Sequence, residues 1–291
     1  ARFDLLRAVN RLACFVSYWD VDCDRRLHRL MCYIHSSLSI RMTGWVGAPR
    51  GDLAPHVYAD ADFAGCPRTL RSTSGGQLLI EGPYTCFPVA ARSIRQQCVA
   101  CSTPDAELAS INLAYRTMSL PSLDLWKVLL HNQVTGVMHE DNMACISVIK
   151  SGKNPTMKYI GRSQGINIQF LHDMLGKRIP SSPHDLVYTQ SDRMVADIHT
   201  KPFTCAPKWT HAQEMANVID PKRINDMVVT KNSHFAGEPL NSELAENYPS
   251  DSYDILSSQL REQSGSSFSN KKTEATAPAC PCVVTMASKP V

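Results

Sequence analysis

Val57-Tyr-Ala-Asp-Ala-Asp-Phe-Ala-Gly65 places two carboxylates, Asp60 and Asp62, at the end of a short apolar run. Read as a strand, this spacing puts both side chains on one face. Two like charges that close are unfavourable unless a cation lies between or beside them. Working outward, three more acids fall at the ends of regular segments: Glu107, Asp141 and Asp197. Taken singly, each has a plainer explanation. Asp60 could belong to a turn, Glu107 could favour a helix N-terminus, Asp141 could be an N-cap, and Asp197 could sit on a solvated face. Jointly they point to a metal site that acts on nucleic acid.

The segments around these acids read as α/β. Leu5, Val9, Leu12 and Val16 mark a helix over 4–18. Asp20 can cap a second one with Leu27, Leu30, Met31 and Ile34 as its stripe, and the pair makes a helical hairpin. Gly44, Gly47, Pro49 and Gly51 read as a linker, and Arg68–Gly76 as a turn. His56–Asp62, Gln77–Glu81 and Tyr84–Ala91 fit a meander of three strands. Ser102-Thr-Pro-Asp105 starts a helix whose stripe is Leu108, Ile111, Tyr115 and Met118, with Pro121 separating it from a further helix, Leu123–His131. Thr135–Glu140 and Asp185–Thr189 read as strands, with helices after Asn142 and over Ile166–Leu175. Ser191 is the expected cap of a last helix that carries Asp197 and stops at Pro202. Helical crossovers between the later strands imply a mixed sheet, and ligands gather at strand ends in such sheets.

The 291 residues are 43% hydrophobic and 20% charged, the composition of a globular protein. The net charge of +3 is too small to establish a nucleic-acid partner by itself. No apolar run has the length of a membrane span. The start, Ala1-Arg-Phe-Asp4, is unlike a signal peptide and lacks an initiator Met, as expected of an excerpt from a longer chain. The eleven cysteines include Cys98-Val-Ala-Cys101 and Cys280-Pro-Cys282. No second ligand pair at a regular interval accompanies them, so buried or idle thiols are the expectation. Clustered carboxylates without a His/Cys set favour a hard cation, Mg2+ or Mn2+. Two such ions can activate a water and stabilise a leaving oxygen on a phosphodiester. Arg68, Arg71, Arg92, Arg95, Lys150, Lys153, Lys158 and Arg162 are candidates for holding the polyanionic backbone.

Five segments carry a family resemblance: Tyr58-Ala-Asp-Ala-Asp-Phe-Ala-Gly65, Arg71-Ser-Thr-Ser-Gly75, Ser102-Thr-Pro-Asp-Ala-Glu-Leu108, Glu140-Asp-Asn-Met-Ala144 and Val195-Ala-Asp-Ile-His-Thr-Lys-Pro-Phe203. In sequence, order and spacing they resemble the ribonuclease H domain of copia-type retrotransposon polyproteins. Arg2–Leu38 resembles the end of the reverse transcriptase that precedes such a domain. The chain departs from the family pattern at Phe63, Leu108 and Tyr159, and Tyr188–Arg193 contains no His. The resemblance implies a ribonuclease H-like five-stranded mixed sheet flanked by helices, preceded by a helical hairpin and followed by a disordered tail. The implied division is 1–50 as the end of the reverse transcriptase, 51–205 as the ribonuclease H-like domain, and 206–291 as a mostly disordered extension. It makes Asp60, Glu107, Asp141 and Asp197 the carboxylates that bind two Mg2+ or Mn2+ ions, with Asp62 pointing away or in a supporting role. The implied activity is hydrolysis of the RNA strand of an RNA–DNA hybrid. The implied partners are that hybrid and the rest of the polyprotein, in a cytoplasmic virus-like particle or the nucleus. No polymerase active-site motif is present in this chain. Two other functions compete: a decayed, nucleic-acid-binding remnant, and a phosphatase that uses Asp60 as nucleophile in an Asp-x-Asp motif.

Overall fold

The computed structural model describes residues 2–130, 134–154, 159–176, 184–235 and 282–285. The helical hairpin is α1 (Leu6–Ala13) and α2 (Val21–Ser36). Asp20 caps α2, its Oδ1 accepting from the Cys23 amide at 2.9 Å. The expected apolar stripes are buried only in part, at Leu12 and partly at Leu30. Leu12 and Phe15 pack against Cys23 and Cys66, whereas Val9, Val16, Leu27 and Met31 stay exposed. Polar contacts tie the hairpin to the body: Arg11 donates to the Gly65 carbonyl at 2.8 Å and Arg7 to the Thr200 carbonyl at 2.6 Å.

The expected linker contains a strand, β1 (Arg41–Val46), in which Met42, Thr43 and Trp45 are buried. Gly44 is there for closeness rather than freedom. A Cβ on it would lie 2.6 Å from the Phe87 ring. The meander follows as β2 (Ala54–Ala61), β3 (Thr73–Gly82) and β4 (Thr85–Arg95), all antiparallel. Part of the expected turn, Thr73–Gly76, is therefore strand. The β3–β4 ladder slips between Leu78 and Leu79, beside Pro88, which has no amide proton to offer.

Ser102 caps α3 (Thr103–Ala114) by accepting from the Asp105 amide, and Leu108, Ile111, Tyr115 and Met118 are buried as expected. Pro121 does not break the run. A π-turn over Tyr115–Ser119 leads straight into α4 (Leu120–Leu130), and such a turn releases the backbone bond that proline cannot make. Next come β5 (Gly136–Glu140), α5 (Met143–Ser151), α6 (Ile160–Ser163), α7 (Ile168–Leu171) continued by a π-turn to Gly176, and β6 (His184–Tyr188). The expected last helix is two 3-10 turns, Ser191–Arg193 and Val195–His199. Beyond residue 206, where little order is expected, α8 (Ala206–Met215), β7 (Val218–Ile219), α9 (Ile224–Phe235) and β8 (Cys282–Thr285) are formed. The rest of the expected disordered tail lies outside the described residues.

Among the described residues the sheet runs β6-β5-β2-β3-β4-β1-β7, with β8 on β1. The mixed five-stranded core is thus present as β2–β6, and the sheet exceeds the expected count by three strands at the β1 side. β5 pairs in parallel with β2 and with β6, so β2 has an antiparallel neighbour on one side and a parallel one on the other. It is buried on both faces. Val57 and Ala59 join the core under α3 and α5, and Tyr58 joins the core under the Asp197 turn and α8.

Two histidines are sealed in these cores. Burial lowers His184, which lies 3.1 Å from the Tyr115 hydroxyl, to about 4, and His199 to about 3. Unfolded histidine titrates near 6.5, so below that pH the unfolded chain takes up protons that the folded chain refuses, and stability is lost as pH falls from 6.5 towards 4. His184→Gln lacks this penalty. Its cost in urea unfolding, relative to the parent, is therefore expected to be smaller at pH 5 than at pH 7 by about 2 kcal/mol. A cost independent of pH would contradict the burial argument.

Candidate metal and nucleic-acid site

Strand alternation assembles the acids around one end of the sheet. Asp60 follows Tyr58 at period two and shares its face. Glu140 follows Met138 in the same way on β5, is fully buried, and so faces the α3 side. Asp141 is one residue past the end of β5 and reaches both sides. One oxygen each from Asp60, Asp141 and Asp197 lie within 4.8 Å of one another, as do oxygens of Glu107, Glu140 and Asp141. All four acids expected from the sequence are brought together, with Asp141 common to both groups.

Backbone and side-chain bonds hold each acid in place. Ser110 of α3 donates to the Asp60 carbonyl at 2.6 Å and to the Gly75 carbonyl at 3.1 Å, which sets the helix carrying Glu107 against β2 and β3. Asn142, not Asp141, caps α5, accepting from Ala144 and Cys145 at 3.0 Å each. Asp141 is thereby left for other use. Ser191 does not cap a helix but donates to Asp141 Oδ2 at 2.6 Å. The Asp197 turn is pinned by His199, 2.8 Å from Gln77 Oε1, and by Ser93, which donates to the His199 carbonyl at 2.7 Å. Gly75 lets that turn approach β3, since a Cβ there would lie 2.6 Å from Thr200 Cγ2.

Three site residues were missed by sequence reasoning: Glu140, Thr200 and Lys201. Thr200 donates to Asp60 Oδ2. Lys201 Nζ lies 2.7 Å from Asp197, 3.3 Å from Asp60 and 3.9 Å from Asp141. Alternation from Met138 could have found Glu140, and the i, i+4 spacing from Asp197 could have found Lys201.

The electrostatics are those of crowded acids away from water. Burial, reinforced by Glu140, Asp60 and Asp141, pushes Glu107 up to about 11. Burial raises Asp60 despite Lys201, and raises Glu140 well above the usual range. Burial and Asp60 bring Asp197 to about 7. Burial opposes the Lys201 ammonium, but Asp60, Asp197 and Asp141 outweigh it and raise its pKa. Glu107 and Glu140 each keep one buried oxygen, Oε2, with no hydrogen-bond partner. Unpartnered buried oxygens are costly. An all-oxygen donor set with unpartnered members and a lysine already drawn into it fits a hard divalent cation.

Asp62 takes no part in this cluster. Strand β2 ends at Ala61, and the Asp62 side chain turns to accept from the Thr73 amide. The two aspartates therefore diverge, and the phosphatase reading, which needs them as a pair, is not supported.

The basic candidates are scattered. Arg68 pairs with Asp20 and covers the Phe15 ring at 4.9 Å, so it fastens the hairpin. Arg92 and Arg95 are on β4, opposite Gly76 and Thr73 of β3. Arg92, Lys150 on α5, Lys153 and Arg162 on α6 are exposed, and Arg71 is half-buried. Lys158 is outside the described residues. Cys101 is exposed and Cys98, less exposed, donates to the Ser163 carbonyl at 2.7 Å.

No protein-family model and no curated protein matches this chain. Two solved structures align with it. LC11-RNase H1, isolated from compost by a metagenomic approach, is 14% identical with a TM-score of 0.34, over 50% of this chain and 92% of its own. RNase H1 from the halophilic archaeon Halobacterium salinarum NRC-1 is 10% identical with a TM-score of 0.30, over 49% and 90%.

Two substitutions test the construction of the site. Lys201→Met removes the cation from among three carboxylates, so the metal-free protein is expected to lose about 1–2 kcal/mol, a modest cost because the side chain is partly exposed. Added Mg2+ should recover that loss and bind more tightly than to the parent, as read by thermal melts and calorimetry. Gly75→Ala pushes on Thr200 and should cost about 1–3 kcal/mol. It should also weaken Mg2+ binding by displacing Asp60 and Asp197.

Proposed function

We propose that this chain is an endonuclease that hydrolyses the RNA strand of an RNA–DNA hybrid, as the ribonuclease H domain of a copia-type retrotransposon polyprotein. The observation that carries this reading is the convergence of Asp60, Glu107, Asp141 and Asp197, from four separated stretches, at one end of the mixed sheet. Their order and spacing along the chain are the second support, through the five motifs that resemble that domain.

Asp60, Asp141 and Asp197 would hold one divalent ion, and Glu107, Glu140 and Asp141 a second. Bound there, Mg2+ or Mn2+ supplies an activated water, an oriented phosphodiester and a stabilised leaving oxygen. The chain's own groups do the positioning. Thr200 and the Ser110 bond to the Asp60 backbone hold that residue's carboxylate at the end of β2. Ser191 steers Asp141 from the loop after β6. Lys201 offsets part of the negative charge of the cluster through Asp60, Asp141 and Asp197. Arg71, Arg92, Arg95, Lys150, Lys153, Lys158 and Arg162 would hold the two strands by phosphate contacts. The hybrid would be recognised by its shape and its 2′-hydroxyls rather than by sequence. The remainder of the polyprotein is the proposed partner, inside a cytoplasmic virus-like particle or in the nucleus.

The test is cleavage of a hybrid labelled on its RNA strand. With Mg2+ or Mn2+ the RNA should be cut internally, while single-stranded RNA and duplex DNA are spared. Asp60→Asn and Asp141→Asn should each lower the rate by about 10²–10³-fold or more. Folded parent protein inert with both ions would instead mark a decayed remnant.

A further inference from the structure

Three side chains that play no part in the acid cluster meet on the Tyr58 face of the sheet. His56 comes from β2, Glu81 from β3 and His139 from β5. The register explains why. His56 pairs with Leu79 on one side and with Val137 on the other. Glu81 and His139 are each two residues further on, so both are diagonal neighbours of His56 on its own face, within reach of long side chains.

The donor atoms are close together. His56 Nδ1 lies 2.9 Å from His139 Nε2 and 3.1 Å from Glu81 Oε2. All three residues present one ligand atom within 4.8 Å of the others. Zinc bonds of about 2.0–2.2 Å in tetrahedral geometry place neighbouring ligand atoms roughly 3.3 Å apart. The two short separations therefore need to open by only a few tenths of an ångström. Two imidazoles and one carboxylate also suit a different cation from the one the acid cluster favours. Imidazole selects borderline transition metals, whereas carboxylates alone select Mg2+, Ca2+ or Mn2+.

Outer partners orient these donors as metal ligands are commonly oriented. His139 Nδ1 lies 2.7 Å from Thr189 Oγ1. A proton on Nδ1 donated to that oxygen leaves the Nε2 lone pair facing His56. The Tyr58 hydroxyl donates to Glu81 Oε2 at 2.9 Å. The Tyr58 ring stacks on His139 with centroids 4.1 Å apart and planes within 6°, which fixes the imidazole plane. The side chains of His56 and Glu81 are 17% and 8% exposed, so an ion can enter from solvent and a water can complete the coordination.

We propose that His56, Glu81 and His139 form a binding site for one divalent transition-metal ion of the zinc class, clipping β2, β3 and β5 together on the strands that lead to the acid cluster. The ion would replace the present close contacts of His56 Nδ1 with His139 Nε2 and Glu81 Oε2.

The test uses the full chain and Zn2+ as the probe, in excess Mg2+ to occupy the carboxylate cluster. Calorimetry should show one saturating Zn2+ per chain and a raised melting temperature. His139→Gln and Glu81→Gln should each remove that event while leaving the far-ultraviolet circular dichroism and the metal-free melt in place. Thr189→Val, which keeps all three ligands, should weaken it by about 10- to 100-fold. Co2+ on the parent protein provides a readout that needs no variant. Tetrahedral d–d bands without thiolate charge-transfer absorption are expected. No saturable Zn2+ event, one that survives both ligand variants, or a thiolate band that assigns the ion to cysteines would each overturn the proposal.

Discussion

Five carboxyl groups at one end of a sheet repel one another, and that repulsion is the constraint the rest of this structure answers. Asp60 and Asp197 lie on one side, Glu107 and Glu140 on the other, and Asp141 joins them past the end of β5. Burial removes the water that would screen them. Lys201 is the local answer on the Asp60 side, within 4 Å of three of the acids. Among the described residues no cation pairs with Glu107 or Glu140, and there the carboxyls take the high pKa values and keep unpartnered oxygens. The asymmetry makes the α3 side the more demanding of an added cation.

Holding such a cluster requires supports that lie far away in the chain. Arg7 of the hairpin bonds the Thr200 carbonyl, Ser93 of β4 bonds the His199 carbonyl, and Gln77 of β3 meets His199 itself. Gly75 leaves the room in which that turn settles. The hairpin, which on sequence shows packing and no chemistry, thus bears on the placement of Asp197 and Lys201. Val9, Val16, Leu27 and Met31 stay exposed, while Leu12 and Phe15 pack against Cys66 and Arg68 pairs with Asp20. Arg7 and Arg11 add bonds to the Thr200 and Gly65 carbonyls.

Much of the core was legible because its signals are local. Alternation and turn residues marked β2, β5 and β6, and the Ser102 and Asp20 caps marked α3 and α2 where the structure has them. The misreadings share a cause. Gly44 and Gly75 look like chain breakers, yet each is small because another element presses on it, Phe87 in one case and Thr200 in the other. Pro121 looks like a helix stop, yet a π-turn before it absorbs the missing bond. Ser191 has the composition of a cap, yet its hydroxyl goes to Asp141. For Gly44, Gly75 and Ser191 the deciding partner is distant in sequence.

The same division holds for the site. Local periodicity and capping put Asp60, Asp62, Glu107, Asp141 and Asp197 at strand ends and in short helices, and the motif resemblance selected four of them and set Asp62 aside. That Asp62 turns away to Thr73, that Glu140 and Lys201 enter the cluster, and that His56, Glu81 and His139 meet at all was settled only by tertiary structure. Those outcomes depend on strand register and on which face each strand buries. Register is set by the pairing of segments far apart in the chain, such as His56 with Val137, and no local pattern encodes it.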